Sequence, residues 1–139
     1  MRISKTIIAA LTASGIALSA SAALAEGDPT QGEKDFKKKC DACHSLKEGK
    51  NKIGPSLFNI VGRQTGTAPG YKFSPDYVEA GQKGLKWDPE QLVAYLENPS
   101  KFLAANLKKA RVKSRMRNKF KKIELRENIV AYLQFLQKK

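Results

Sequence analysis

Lys37-Lys38-Lys39-Cys40-Asp41-Ala42-Cys43-His44-Ser45-Leu46 holds both cysteines of the chain and its only histidine. Several chemistries use a Cys-x-x-Cys spacing. A disulfide between Cys40 and Cys43 closes so short a loop that it removes little entropy from the unfolded chain, and it gives His44 no task. A redox-active dithiol sits at the start of a helix that follows a strand, and no β-α-β pattern precedes these residues. Zinc needs four donors, or three and a water, and no second cluster supplies them. Covalent haem attachment uses all three residues: the two thiols form thioethers to the haem vinyl groups, and the next residue offers its imidazole to iron. Two intervening residues let one helical turn present both sulfurs to one porphyrin edge, and the following histidine then faces the metal. The residues alone favour haem; a bridge, a dithiol or another metal stays open at this point.

Upstream of this motif, Arg2 and Lys5 precede an uncharged stretch over 6–24, and Ala23-Leu24-Ala25 places small residues where a signal peptidase cuts. Residues 1–25 therefore read as a cleaved secretory signal peptide. An uncleaved anchor is the alternative, but Ser, Thr and Gly dilute the run below the roughly 20 well-filled apolar positions of a strong span. Cleavage after Ala25 leaves 114 of 139 residues, and losing Arg2 and Lys5 lowers the formal charge from +13 to +11. No later apolar run is long enough to cross a bilayer. The expectation is a soluble periplasmic protein with one domain over residues 26–139. The full chain's apolar fraction of 41% is that of a globular protein and excludes disorder, while the basic excess is too large for an indifferent surface.

Downstream, the pattern is helical. Asp28-Pro29-Thr30-Gln31 offers an N-cap, a proline at the first helical position and a capping partner, ahead of a helix to about Lys39. Gly32 and Phe36 share a face of it, and a glycine there is compensated by close approach of another helix. Gly49, Gly54-Pro55, Gly62, Gly66 and Pro69-Gly70 punctuate residues 45–73 too densely for a regular element, so this stretch reads as loop wrapped around something. Ser74-Pro75 opens a short helix closed by Gly81. Asp88-Pro89-Glu90-Gln91 repeats the cap signature, and Pro99 ends that helix or begins the next. Ile129, Val130, Leu133 and Leu136 with Tyr132 follow helical spacing in a last helix from Ile123 to Gln137, expected to pack on the first. Strand alternation is absent. The expected fold class is all-α, terminal helices packed together and loops around a cofactor.

Taken in order, Cys40 to His44, Gly54-Pro55-Ser56-Leu57, Gly62-Arg63-Gln64-Thr65-Gly66, Ala68-Pro69-Gly70, Trp87, Tyr95-Leu96-Glu97-Asn98-Pro99, Lys113-Ser114-Arg115-Met116 and Ala131-Tyr132-Leu133 resemble the class I c-type cytochromes. That family includes bacterial cytochrome c2 and mitochondrial cytochrome c, and the likeness spans residues 27–137. The resemblance implies one haem c per chain, bound covalently through Cys40 and Cys43, with iron held by His44 and Met116. Independently, Met116 is the only methionine left once the leader is removed. With both axial positions filled, iron has no open site for substrate, and a one-electron carrier rather than an enzyme follows.

The resemblance also implies roles for further residues. The Pro55 carbonyl would accept from the His44 imidazole N–H. Arg63 and Trp87 match positions that hydrogen-bond haem propionates, Tyr95 matches a tyrosine that reaches toward the methionine sulfur, and Ser114 matches a hydroxyl lining the same pocket. Gly32, Phe36 and Tyr132 match the crossing of the terminal helices. Two positions depart from the pattern: Asn118 stands where many relatives have an aromatic ring over the haem edge, and Phe73 lacks the hydroxyl often offered to a propionate. The 16 residues between Pro99 and Met116 match the long bacterial form, with Phe102-Leu103-Ala104-Ala105 extending a helix there.

Residues 108–122 carry nine Lys or Arg (Lys108, Lys109, Arg111, Lys113, Arg115, Arg117, Lys119, Lys121 and Lys122) and no acid, and Lys37, Lys38 and Lys39 lie beside the haem motif. Around a methionine ligand this run would face the porphyrin edge and steer acidic docking surfaces of membrane-bound redox complexes. The family resemblance implies a quinol-oxidising cytochrome complex as donor and a terminal oxidase or photosynthetic reaction centre as acceptor. The same charge could attract nucleic acid or anionic lipid, but export argues against nucleic acid. No stable membrane anchor is expected, and the chain is expected to be a monomer.

Overall fold

Four of the five helices begin on a proline, whose fixed φ and missing N–H suit the first helical position. The computed structural model describes residues 27–139; the signal peptide expected over 1–25, with its cleavage site, lies outside the described residues. The helices are α1 (Pro29–Lys39), α2 (Pro75–Gln82), α3 (Pro89–Glu97), α4 (Pro99–Leu107) and α5 (Ile123–Gln137). Among the described residues the only β pairing is an isolated bridge between Gln64 and Lys86.

The caps follow the sequence closely, with informative exceptions. Asp28 accepts from the Thr30 N–H at 2.7 Å and Asp88 from the Gln91 N–H at 2.8 Å. Gln31 is not a capping partner: its amide donates to Asp35 one turn on, at 3.1 Å. Asn98 divides α3 from α4. The proline after it drives it out of the helical region, to φ −160° and ψ 91°, and its side chain then accepts from the Lys101 N–H. Pro99 thus does both things expected of it, and Phe102 to Ala105 lie in the body of α4. Gly81 does not close α2. It lies inside the helix, where a Cβ would collide with the Thr65 carbonyl, and the chain reverses at Gly84, φ +94°.

The core is organised on α5, which crosses α1 and packs beside α3. At the α1–α5 crossing a Cβ on Gly32 would drive into the Asn128 carbonyl and sit 2.9 Å from the Tyr132 Cβ. Phe36, fully buried, meets the Tyr132 ring at 5.8 Å between centroids. The Asp28 N–H donates to the Asn128 side chain at 2.8 Å and ties the start of α1 to the same turn. Gly32→Ala weighs two terms of opposite sign. Alanine gains about 1 kcal/mol of helix propensity, but the obstacle is backbone, which cannot swing aside, and forced overpacking costs about 1–3 kcal/mol. The expected result is a net loss of up to about 2 kcal/mol, read as a lower denaturant midpoint at unchanged slope; a midpoint above wild type would show that the helices can part without cost.

Between α1 and α2, residues 40–74 run without a helix, and between α4 and α5 the chain crosses residues 108–122 in the same way. These two stretches are brought to face one cavity.

Candidate functional site

The C-terminus of α1 delivers the cysteines. Cys40 caps the helix, its N–H donating to the Phe36 carbonyl, and the Cys43 and His44 N–H groups both return to the Cys40 carbonyl at 3.0 Å. One tight turn therefore carries both sulfurs and the imidazole. Both cysteines are free thiols, Cys40 buried and Cys43 half-buried. Burial, with Asp35 and Cys43 nearby, pushes the Cys40 thiol up to about 12. That is the opposite of the lowered thiol a dithiol oxidoreductase uses. Among the described residues no three His, Cys, Asp or Glu side chains cluster to hold a metal ion, so zinc has no donor set.

His44 is fixed from two sides. Its Nδ1 lies 2.8 Å from the Pro55 carbonyl oxygen, which makes Nδ1 the protonated nitrogen and leaves Nε2 with its lone pair free. Gly54 lies against the ring, where any Cβ would strike Cε1. Burial holds the imidazole below its ordinary pKa, Lys52 adding to the effect and the Pro55 carbonyl opposing it, which favours the neutral, ligating form. Asn51 secures this loop: its Oδ1 accepts from the Ser56 N–H and its Nδ2 donates to the Pro69 carbonyl, each at 2.9 Å. Tyr71 adds a bond from its hydroxyl to the Ile53 carbonyl, also 2.9 Å.

A cavity of about 400 Å³ opens beside this turn. Cys40, Cys43, His44, Pro55, Arg63, Trp87, Tyr95 and Met116 all line it, although they come from the 40–74 stretch, the loop before α3, α3 itself and the 108–122 stretch. Leu57, Ile60, Leu92, Leu96, Ile129 and Leu133 make most of its wall apolar. Its size lies in the range of cofactor sites. Arg63 donates to the Ser56 carbonyl at 2.8 Å and the Phe58 carbonyl at 3.2 Å, and burial lowers its pKa. Two of its five donors are thus committed and three remain for an acid group. Trp87 is buried, stacks on Phe102 at 6.0 Å and meets Tyr95 edge-on at 4.8 Å.

Met116 is half-buried between exposed Arg115 and Arg117, in a stretch without regular structure. Its N–H donates to Ser114 Oγ at 3.1 Å, and the Ser114 N–H donates to Ser100 Oγ in α4 at 3.1 Å. Ser114 does not itself line the cavity. It is buried behind the wall, turned by these bonds toward Tyr77, whose hydroxyl lies 2.5 Å away. Tyr95, expected to reach toward the methionine sulfur, meets the Tyr77 hydroxyl at 2.6 Å. Burial raises both phenols above their ordinary pKa, so both stay protonated.

Two wall residues escaped the sequence reading. Tyr77 stands on the α2 face that also carries buried Ala80 and Gly81, which marks it as inward-facing but not as a hydroxyl donor. Ser74 looked like a helix cap, yet it makes no cap bond; it lines the cavity with its hydroxyl buried and unpartnered. An orphaned hydroxyl costs free energy until something fills its hydrogen-bonding capacity. With free thiols at one edge, a neutral imidazole, a thioether, spare guanidinium donors and this hydroxyl, the lining fits a flat apolar macrocycle bearing acid groups and a metal.

No family model matches the chain. It is 44% identical over 108 residues to cytochrome c2 of Pararhodospirillum photometricum, covering 77% of this chain and 96% of that one. It is 38% identical over 134 residues to cytochrome c2 of Rhodospirillum rubrum, covering 96% of this chain and 98% of the relative. Among solved structures, cytochrome c2 from Rhodospirillum centenum matches with TM-score 0.74 at 40% identity, over 79% of this chain and 98% of that chain. Cytochrome c2 from Rhodobacter sphaeroides matches with TM-score 0.74 at 39% identity, over 79% and 96%.

Proposed function

Since the chain belongs to the cytochrome c2 family of class I c-type cytochromes, haem c electron carriers rather than enzymes, we propose that it is a periplasmic one-electron shuttle with a six-coordinate His44/Met116 haem. Donor and acceptor are a quinol-oxidising cytochrome complex and a terminal oxidase or photosynthetic reaction centre. The observation that carries this reading is the convergence of Cys40, Cys43, His44 and Met116 on one largely apolar cavity. Residues 1–25 supply export, and residues 26–139 form the haem domain.

Haem c, when bound, supplies the one-electron Fe(III)/Fe(II) couple. The chain's own residues do the rest. Cys40 and Cys43 would anchor one edge of the haem through thioethers, their S–H groups adding across its vinyls. His44 presents Nε2, and donation from Nδ1 to Pro55 makes the ring a stronger ligand. Met116 offers a soft thioether, which favours Fe(II) and raises the potential. Arg63 and Trp87 would hold the propionates. The apolar wall would exclude water from the group and hold its ligands in place, which limits the reorganisation that accompanies each transfer.

Docking rests on charge. All nine basic residues of 108–122 are exposed. Among the described residues Lys109 alone of them is drawn into ion pairs, with Asp76 at 2.8 Å and Glu79 at 2.6 Å. The other eight flank Met116 along the chain, Arg115 and Arg117 beside it on the cavity lining, and would steer an acidic partner surface, with association falling steeply as salt rises. No helix among the described residues is long and apolar enough to cross a membrane.

A reduced-minus-oxidised spectrum and an intact mass on protein from the periplasmic fraction test the proposal together. The expected result is a low-spin haem c spectrum and the mass of residues 26–139 plus one haem. A colourless product, or the polypeptide mass alone after proper maturation, would overturn it.

A further inference from the structure

Among the described residues, the basic stretch 108–122 enters ion pairs at one place alone, near its start. The chain leaves α4 through Lys108, φ +53°, and the Lys109 N–H returns to the Ala104 carbonyl at 3.0 Å, which fixes the direction in which the Lys109 side chain departs. That side chain crosses to α2. Its Nζ donates to Asp76 Oδ1 at 2.8 Å and to Glu79 Oε2 at 2.6 Å, while Glu79 Oε1 lies 2.9 Å from Lys83 Nζ. Asp76 and Glu79 stand three apart on the helix, so both face one ammonium. A lone surface pair stabilises little, but here four charges are connected. Asp76 and Glu79 raise the Lys109 pKa, and Lys109 with Lys83 holds the Glu79 carboxyl below its ordinary range.

The other anchors of the stretch are uncharged. Val112 and Phe120 are buried, the Ser114 N–H donates to Ser100 on α4, and the Phe120 N–H donates to the Leu96 carbonyl on α3. Toward α2 the stretch has a hydroxyl contact, from Ser114 to Tyr77, and the Lys109 pairs. Between these two points Ala110, Arg111 and Lys113 are exposed. Lys109 is therefore what keeps the first half of the stretch on α2.

We propose that Lys109 is a positioning residue rather than a docking charge: by bridging Asp76 and Glu79 it latches the methionine stretch to α2 and sets how rarely Met116 leaves the metal. This rests on the reading of Met116 as an axial ligand. For Met116 to withdraw, its stretch has to move off the cavity wall to which α2 contributes Tyr77. Because the latch is ionic and partly exposed, salt weakens it, a response that buried apolar anchors do not share.

The test uses mature ferric holoprotein and reads, by stopped-flow absorbance, the limiting rate at which saturating imidazole replaces Met116. Lys109→Gln is expected to raise that rate about three- to tenfold. Lys109→Arg, which keeps the charge, should stay near wild type, as should Lys101→Gln, which removes an exposed and unpaired charge from α4. Asp76→Asn with Glu79→Gln should match Lys109→Gln, and all three changes together should be no faster, because they break one network. The wild-type rate should rise between about 0.01 M and 1 M ionic strength, and Lys109→Gln should lose that response. A wild-type rate in Lys109→Gln, fully additive effects or an unaltered salt response overturns the latch and leaves the carrier reading intact. Proton NMR of reduced wild type reports whether the Met116 methyl carries the upfield shift of an iron ligand; its absence overturns the His44/Met116 reading, and this inference with it.

Discussion

Replacing Cys40 and Cys43 together by serine is expected to yield a colourless polypeptide without a cooperative fold. Serine cannot form the thioethers, and nothing else in the turn from Cys40 to His44 binds covalently. The consequence reaches beyond colour because the cavity is part of the core. Leu92, Leu96, Ile129 and Leu133, which line it, also belong to the buried cluster joining α3, α4 and α5. Left unfilled, about 400 Å³ at ~24 cal/mol per Å³ costs about 10 kcal/mol, an upper figure since part of the space opens to water. A domain of this size has only about 5–15 kcal/mol in total. Far-UV circular dichroism should show most of the helix lost, and the thermal transition should disappear. The single variants should each retain haem through one thioether in reduced yield. A pyridine haemochrome band in either single variant that matches wild type, as it would with both vinyl groups saturated, or a sharply melting colourless double variant, would contradict covalent attachment and the cofactor's place in the core.

The same dependence explains what could be read from the residues alone. Local features were legible: Asp28-Pro29 and Asp88-Pro89 start helices because cap and fixed φ act within a few residues. Gly32, Phe36 and Tyr132 could be matched because a close helix crossing demands a missing Cβ opposite a ring. The Cys40 to His44 turn was legible because its chemistry needs contiguous residues. Features set by docking were not. Tyr77 reaches Ser114 where Lys109, at the start of the methionine stretch, is held to Asp76 and Glu79 on α2, and where Ser100 on α4 receives the Ser114 N–H. Neither pairing has a signature in spacing. Lys109 itself reads as one more docking charge until Asp76 and Glu79 are seen beside it. The role of Gly81 was misjudged for a related reason: its lack of a side chain serves the Thr65 carbonyl from another loop, not the end of its own helix.

Met116→Ala is expected to give the second large effect, a fall in reduction potential on the order of 100 mV or more, within the range of about 0.8 V that axial ligands span. The change should be electronic rather than structural. Met116 is half-buried and lines the cavity, and the bonds that hold its stretch belong to Ser114, Lys109, the Phe120 N–H, which donates to the Leu96 carbonyl at 2.9 Å, and the Arg115 guanidinium, which donates to the Lys72 carbonyl at 3.2 Å. None of them passes through the thioether, so thermal stability should fall far less than in the cysteine variants. Whatever takes the vacated position, water or one of the neighbouring lysine amines, is a harder donor than sulfur and supports Fe(III) better, so the direction of the shift does not depend on which arrives. Reduced variant should bind carbon monoxide rapidly at neutral pH, whereas reduced wild type should not, because the gas must first displace the methionine. An unchanged spectrum and potential in the variant would remove Met116 from the iron. Rapid carbon monoxide binding by wild type would indicate a labile sixth position and favour a ligand-binding haem protein over a carrier.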